Sequence, residues 1–389
     1  MTATTTAHLD LAINGGEALC AEPVPFLVVR MEEEEKAAVL RVLESGMLAQ
    51  GPRCRELEES FAQASQARFA VSCSNGTTAL QLAYAALIKP GEEVLVPAWT
   101  FIATASMVMA RGATPVWCDV DPATYCVDPA DLKRKITGKT SAIAVTHLYG
   151  NPVDIAAVEA LAKEHDLRVI YDAAQAHLAR YDGRGVGAYG DACTYSFYAT
   201  KNMTAGEGGM VTTNEEGLAE KLRSLRSHGE TQKYLHERIG YNYRMNDMTA
   251  AIALAQLKKL PQRTERRRQI ARLYDVGLAG ISGLTLPMET ATAECVYHLY
   301  TLQMEPSSFC CDRDRFVEAL RAEGVGVAVH YPRATSRQPV FAETVAAHPP
   351  VADGLAERVF SIPLHPMLSD AQVQQVMEAV RKVANALKA

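Results

Sequence analysis

The sequence predicts an α/β protein: a large domain on a mostly parallel sheet, followed by a smaller α+β C-terminal domain. Three observations carry this reading. Short β-branched or aromatic runs alternate with helical stretches through the first part of the chain, as βαβ units require. The residues that stand out chemically fall at the ends of those runs, where open α/β sheets bind ligands. From about Asn246 the alternation gives way to one long helical pattern and then a mixed segment.

A chain of 389 residues is too long for one typical core and suggests about two domains. The expected division is an N-terminal extension over 1–24, a large domain over 25–260 and a small domain over 261–389. Residues to about Thr6 read as disordered. "MEEEEKAAVLRVLESGM" (31–47) has helical spacing at Ala38, Val39, Val42 and Leu43, with acids in its first turn, where the helix dipole favours them. The run Glu32–Glu35 reads as a solvated helix start. "RFAVSCS" and "EEVLVPA" read as strands, followed by the helical "TTALQLAYAAL" and "TFIATASMVMARG". "TPVWCDVD", "TSAIAVTHLYG", "DLRVIYDAA" and "ACTYSFY" are further strand-like runs, with helices such as "DIAAVEALAKEH" between them. "NDMTAAIALAQLKKLPQRTERRRQIARLYDVGLAG" reads as a long helix interrupted or kinked near Pro261. Strand-like "VYHLYTLQM" and "VGVAVHYP" and helical "RDRFVEALRAEG" and "SDAQVQQVMEAVRKVANAL" complete the small domain.

Hydrophobic residues at 48% and charged residues at 22% are ordinary for a globular protein, and a net charge of −6 gives no support to a nucleic-acid role. Nine cysteines with no CxxC pair argue against a disulfide framework or structural zinc and fit a reducing cytoplasm. No metal site is expected. The first twenty residues lack the basic start and apolar core of a signal peptide. No apolar run approaches the roughly 20 residues of a membrane span. A cytoplasmic protein with small-molecule partners is the expectation.

Four features converge on chemistry. In "VSCSNGTTALQ" a strand runs into Ser74-Asn75-Gly76-Thr77-Thr78 and then a helix; free amides and hydroxyls at such a helix start suit a phosphate, or simply cap the helix. In "VIYDAAQAH" Asp172 ends an apolar run, where a carboxylate is costly unless paired. It would serve either a structural ion pair or the protonated ring nitrogen of a cofactor; Gln175 and His177 follow with hydrogen-bonding capacity. In "VPAWTFIAT" Trp99 and Phe101 offer aromatic faces, for a core or for a flat cofactor ring. In "YSFYATKNMTAGEGGMV" Lys201 stands between a strand and a glycine-rich loop. A lysine attacks carbonyls once its pKa is depressed. Phosphate loop, aspartate, aromatic face and lysine together match the pattern of pyridoxal phosphate (PLP) enzymes.

The series "NGTTAL", "VPAWTFIAT", "YDAAQAH", "SFYATKNMTAGEGGMVTT" and "GYNYRMNDMTAAIALAQL" closely resembles the DegT/DnrJ/EryC1/StrS aminotransferases, from "LESGMLAQGP" to "SIPLHPMLSD". The resemblance implies a fold-type I PLP-dependent transferase with a mixed, mostly parallel seven-stranded sheet. It implies that Lys201 carries PLP as a Schiff base, that Asp172 pairs with the ring nitrogen and that Gln175 contacts the ring hydroxyl side. It further implies Phe101 as the stacking aromatic, with Trp99 as a substitute near the substrate. Gly76, Thr77 and Ser196 would bind the phosphate, Asn242 would reach the phosphate of a partner subunit in a homodimer, and His330 would line the sugar site. The implied reaction moves an amino group from glutamate or glutamine to a keto-sugar, a nucleotide-linked 4-keto-6-deoxy or 3-keto sugar. A free keto-cyclitol acceptor is the alternative, since "INGGE" occurs in cyclitol branches and Ser336 replaces a common histidine. A sugar dehydratase is disfavoured because those relatives carry histidine in place of Lys201. A non-catalytic regulator is disfavoured by the intact Lys201, Asp172 and Gln175.

Overall fold

The structure, a computed structural model, describes residues 10–344 and 347–389. The expectation of disorder up to Thr6 lies outside the described residues. Two helices open the large unit, α1 (Glu33–Ser45) and α2 (Pro52–Ser65). Then come β1 (Phe69–Cys73), α3 (Gly76–Leu87), β2 (Glu93–Pro97), α4 (Ile102–Ala110) and β3 (Thr114–Cys118). They are followed by α5 (Pro129–Lys135), β4 (Thr140–Thr146), α6 (Ile155–His165), β5 (Arg168–Asp172), β6 (Ala192–Ser196), β7 (Gly209–Thr213) and α7 (Glu216–Arg226). The seven strands form one sheet in the order β1-β7-β6-β5-β4-β2-β3. Only β7 is antiparallel to its neighbours β1 and β6; the pairs β2–β3, β2–β4, β4–β5 and β5–β6 are parallel.

Helices cover both faces, which is why the central strands read as nearly continuous apolar runs. Side-chain alternation divides each strand between two cores. Leu95, Ile143, Val145 and Tyr171 join Phe61, Val158 and Leu254 on one face. Val94, Val96, Ala142 and Ile170 join Leu82, Ala105 and Val108 on the other.

A helix of 32 residues, α8 (Asp247–Leu278), links this layer to the rest. It runs through Pro261 without the interruption expected from the sequence; the missing N–H frees one carbonyl in an otherwise intact ladder. At its start, the Asp247 carboxylate accepts from the amides of Gly51, Arg53 and Cys54 at 2.8, 3.1 and 3.0 Å and so caps α2. The glutamate run is not merely a solvated helix start. Lys259 of α8 bonds Glu32, Glu34 and Glu35 at 2.6, 3.1 and 2.9 Å. Glu35 is buried and also accepts from Gln256. An acidic first turn docks on a cation and does not simply face water.

The small sheet contains β8 (Leu284–Thr285), β9 (Tyr300–Met304) and β10 (Val359–Ile362), all antiparallel, with β9 in the middle. Helices α9 (Arg313–Ala322), α10 (Pro350–Arg358) and α11 (Asp370–Ala386) accompany it. Its core combines Tyr274, Leu302, Phe316, Phe360 and Val380 with Leu11, Cys20 and Val24 from the N-terminal segment. "VGVAVHYP" is not a strand: it forms only the bridges Val24–Val325 and Ala328–Ser361. The backbone there is occupied by the N-terminal segment, with the Gly326 amide donating to the Val24 carbonyl at 2.8 Å. The strands β7 and β10 were not foreseen; the glycines of "GEGG" hid the first, and the second has only four residues.

Candidate active site

The carboxyl ends of β5, β6, β2 and β4 and the starts of α3 and α4 meet in one place. Asp172, 4% exposed, closes β5. Its Oδ2 accepts from the Thr104 hydroxyl at 2.7 Å and its Oδ1 from the Ala174 amide at 3.0 Å. Desolvation raises its pKa; those two donors and the Lys201 charge oppose the rise. Lys201 follows β6, its backbone amide donating to the Tyr198 carbonyl at 2.9 Å. Among the described residues no hydrogen bond or ion pair holds its amine. Desolvation brings its pKa down from 10.5 to about 8, against the pull of Asp172. A lysine so placed carries far more free amine near neutrality than an ordinary lysine, reaching about half near pH 8.

That shift is directly testable. The reaction of Lys201 with an amine-directed reagent, followed by peptide mass spectrometry, is expected to rise with pH through a midpoint near 8. A midpoint at the ordinary lysine value would contradict the desolvated setting.

The capping reading of "NGTT" is realised in the structure. Asn75 caps α3, its side chain accepting from the Thr78 amide at 2.9 Å while Thr78 Oγ1 accepts from the Asn75 amide at 3.1 Å. As first-turn residues, Gly76 and Thr77 have amides with no intrahelical acceptor, and Gly76 lies close to Ser196. A Cβ on Gly76 would lie 2.6 Å from Ser196 Cβ, and one on Gly209 would lie 2.3 Å from the Asn75 carbonyl oxygen. The turn, β6 and β7 thus approach closely only because both positions are glycine.

Phe101, the N-cap residue of α4, is 55% exposed and free to face a ring. Trp99 is 1% exposed. Its indole N–H donates to Tyr149 Oη at 3.0 Å and its ring meets Tyr331 edge-on at 5.8 Å. Trp99 is thus packed between Tyr149 and Tyr331 and almost fully enclosed. Gln175 accepts from the Tyr149 amide at 2.7 Å and donates to Tyr331 Oη at 3.2 Å. His330 stacks on Phe26 at 5.8 Å and lies within electrostatic reach of Lys201. His177 donates through Nε2 to the Ser196 carbonyl at 2.8 Å, tying the end of β5 to the end of β6. Burial holds His177 neutral, with its pKa near 3. Asn242 is exposed and bridges to Ser227. Ser336 is buried, with no partner for its hydroxyl among the described residues.

The sequence reading missed Thr104, Tyr149, Tyr331 and His298. His298 donates from Nδ1 to Asn202 Oδ1 at 3.1 Å, and burial together with the Lys201 charge keeps it neutral. A polar side chain next to the lysine in sequence, Asn202, was the available signal.

The residues present fit PLP. The desolvated amine of Lys201, the twice hydrogen-bonded buried carboxylate of Asp172 and the glycine-lined helix start match an aldehyde, a ring nitrogen and a phosphate respectively.

A model described as the DegT/DnrJ/EryC1/StrS aminotransferase family matches residues 29–381. The chain is 41% identical over 354 residues to UDP-N-acetyl-3-dehydro-alpha-D-glucosamine 3-aminotransferase of Acidithiobacillus ferrooxidans, covering 90% of this chain and 94% of that one. It is 39% identical over 370 residues to dTDP-3-amino-3,4,6-trideoxy-alpha-D-glucose transaminase of Streptomyces venezuelae, covering 93% and 96%. Among solved structures, S. venezuelae DesV in complex with a ketimine intermediate superposes with a TM-score of 0.89 at 39% identity, covering 94% of this chain and 99% of that one.

Proposed function

The chain belongs to the DegT/DnrJ/EryC1/StrS aminotransferase family, and on that premise we propose that it moves an amino group from glutamate or glutamine to the 3- or 4-keto group of a nucleotide-linked sugar. It is a PLP-dependent aminotransferase. The names of the relatives, one UDP-linked and one dTDP-linked, support the acceptor class. The observation that carries the chemistry is the meeting of a desolvated Lys201 amine with the buried, hydrogen-bonded Asp172 carboxylate.

When bound, PLP supplies an electron sink that stabilises negative charge on the amino-bearing carbon. Lys201 and Asp172 would hold it with Gln175, Phe101, Ser196 and the amides of Gly76 and Thr77. The two donors to Asp172 favour its anion against desolvation, and the anion would favour a proton on a ring nitrogen in contact with it. Lys201 Nζ, unprotonated in much of its population near pH 8, takes a proton from carbon and returns it as general base, then acid. Lys201 must therefore alternate between two protonation states, which its lowered pKa permits. His330, beside Phe26, is assigned to the sugar side of the site.

We place a second copy of the chain against α1. Leu40, Leu43, Met47 and Leu48 are exposed together there, beside a groove of about 620 Å³ between α1, α2 and α8. So many large apolar side chains in one stretch mark an association surface, and Asn242, exposed, is assigned to the partner's phosphate site. Sedimentation is expected to give a dimer. Leu43→Glu combined with Met47→Glu should yield monomers with activity reduced at least roughly tenfold, the dimer being weakened by about 1.4 kcal/mol for each tenfold rise in its Kd. A fully active wild-type monomer would contradict this. No helix among the described residues is long and apolar enough to cross a membrane. Nine cysteines with no disulfide among the described residues suit a reducing cytoplasm, to which we assign the enzyme.

The test of the function is product formation. Holoenzyme supplied with glutamate or glutamine and UDP- or dTDP-linked 3- or 4-keto sugars should convert a ketone to an amine, read by mass spectrometry. Amination of a free inosose and of no nucleotide sugar would overturn the proposed acceptor.

A further inference from the structure

We propose that Thr104 is a positioning residue for Asp172, the last donor in a chain of hydroxyls running from Thr146 through Thr100 to Thr104. The chain holds the carboxylate as an anion in fixed orientation. This rests on the reading of Asp172 as the partner of a cofactor ring nitrogen.

The direction of the chain follows from donor counting. An ionised carboxylate only accepts, so the Thr104 hydroxyl, 2.7 Å from Asp172 Oδ2, must donate its single proton there. Thr104 Oγ1 then has only lone pairs left for Thr100 Oγ1 at 3.1 Å, so Thr100 donates to it. The Thr100 proton is now used, and Thr146 Oγ1 at 2.7 Å must donate to Thr100. Three hydroxyls with one consistent polarity end on one charge. Such aligned hydrogen bonds strengthen one another in a low-dielectric interior. All are buried: Thr104 is 0% exposed, Thr100 2% and Thr146 5%.

A helical threonine commonly returns its hydroxyl to the carbonyl four residues back. For Thr104 that carbonyl belongs to Thr100, and it accepts from Thr335 instead. Thr335 Oγ1 donates to the Thr100 carbonyl and accepts from the Thr100 amide at 3.3 Å, while the Thr335 amide donates to the Ala98 carbonyl at 2.8 Å. Residues 235 positions away thus clamp the Thr100 backbone and leave the Thr104 hydroxyl to Asp172. Tyr84 Oη, donating to the Thr104 carbonyl at 2.8 Å, holds the same turn from α3.

Of the titratable groups around Asp172, Lys201 is the cation facing it. Tyr84, Tyr331 and Cys193 are pushed up by burial and stay neutral. The Thr104 hydroxyl, backed by Thr100 and Thr146, and the Ala174 amide are therefore the neutral donors that hold the carboxylate.

The test compares Thr104→Val, which keeps the shape and removes the hydroxyl, with Thr104→Ser, which keeps the hydroxyl. One readout is the carbon-13 titration of the Asp172 carboxyl in cofactor-free protein, assigned with Asp172→Asn. A second is the nitrogen-15 shift of the ring nitrogen of bound PLP at fixed pH; a third is kcat. Thr104→Val is expected to raise the carboxyl titration, move the ring shift toward the unprotonated form and lower kcat roughly 10- to 100-fold, as loss of a hydrogen bond to a charged group implies. Thr104→Ser should recover wild-type signatures and a rate within about threefold. Unchanged carboxyl and ring signals in Thr104→Val would overturn the proposal, even if the rate falls. If that variant does not fold, Thr100→Val cuts the chain one link back and must move the same two signals. Near-normal turnover in Asp172→Asn would refute the reading of Asp172 itself. An inactive Asp172→Asn beside a silent Thr104→Val would remove the threonine chain alone.

Discussion

Lys201→Ala is expected to abolish turnover, by roughly 10³-fold or more, because one side chain serves as both nucleophile and proton carrier. The same variant should retain no cofactor after borohydride reduction and denaturation, since Lys201 is the lysine that the Asp172 charge acts on among the described residues. The fold should survive: Lys201 makes no hydrogen bond or ion pair through its side chain among the described residues, and desolvation of its charge is unfavourable. Circular dichroism would verify this. A variant that turns over normally, or that still fixes PLP at the site, would take the lysine out of its assigned role.

Asp172→Asn is the second large effect. If the lost interaction is worth about 3–5 kcal/mol, as for one partner of a buried charge pair, and acts in the reacting state, the rate falls roughly 10²- to 10⁴-fold. The substitution is nearly isosteric, and the Thr104 hydroxyl can rotate to accept from the new amide, so the site is expected to stay folded and to bind PLP. The amide cannot keep a ring nitrogen protonated as the anion does. Loss of activity with cofactor retained is the expected signature, read by absorbance of the bound cofactor alongside steady-state rates. Near-normal rates would contradict the mechanism.

The two residues with the largest expected effects were legible in the sequence for one reason: each is a charged side chain where an apolar strand ends. Asp172 closes "RVIYD" and Lys201 follows "ACTYS". The sheet was legible because helices cover both faces, so that β2, β4 and β5 read as short, nearly continuous apolar runs. What escaped was set by contacts distant in sequence. Thr104 meets Asp172 across 68 positions and His298 meets Asn202 across 96. Threonine is unremarkable in a helical run, and His298 sits in a segment that reads only as a strand. The glutamates of α1 resembled a solvated face because their partner, Lys259, lies more than 220 positions away. The burial of Trp99 against Tyr331 was equally hidden, since it depends on a segment from the far end of the chain.

The most direct test of the central claim is the half-reaction. Purified protein is loaded with PLP, glutamate or glutamine is added, and the visible cofactor band is followed before and after a UDP- or dTDP-linked keto-sugar. The account predicts that the donor removes the band and the sugar restores it. A band that no amino donor changes would contradict the aminotransferase assignment, and a band lost to the donor but restored by no nucleotide-linked ketone would contradict the acceptor.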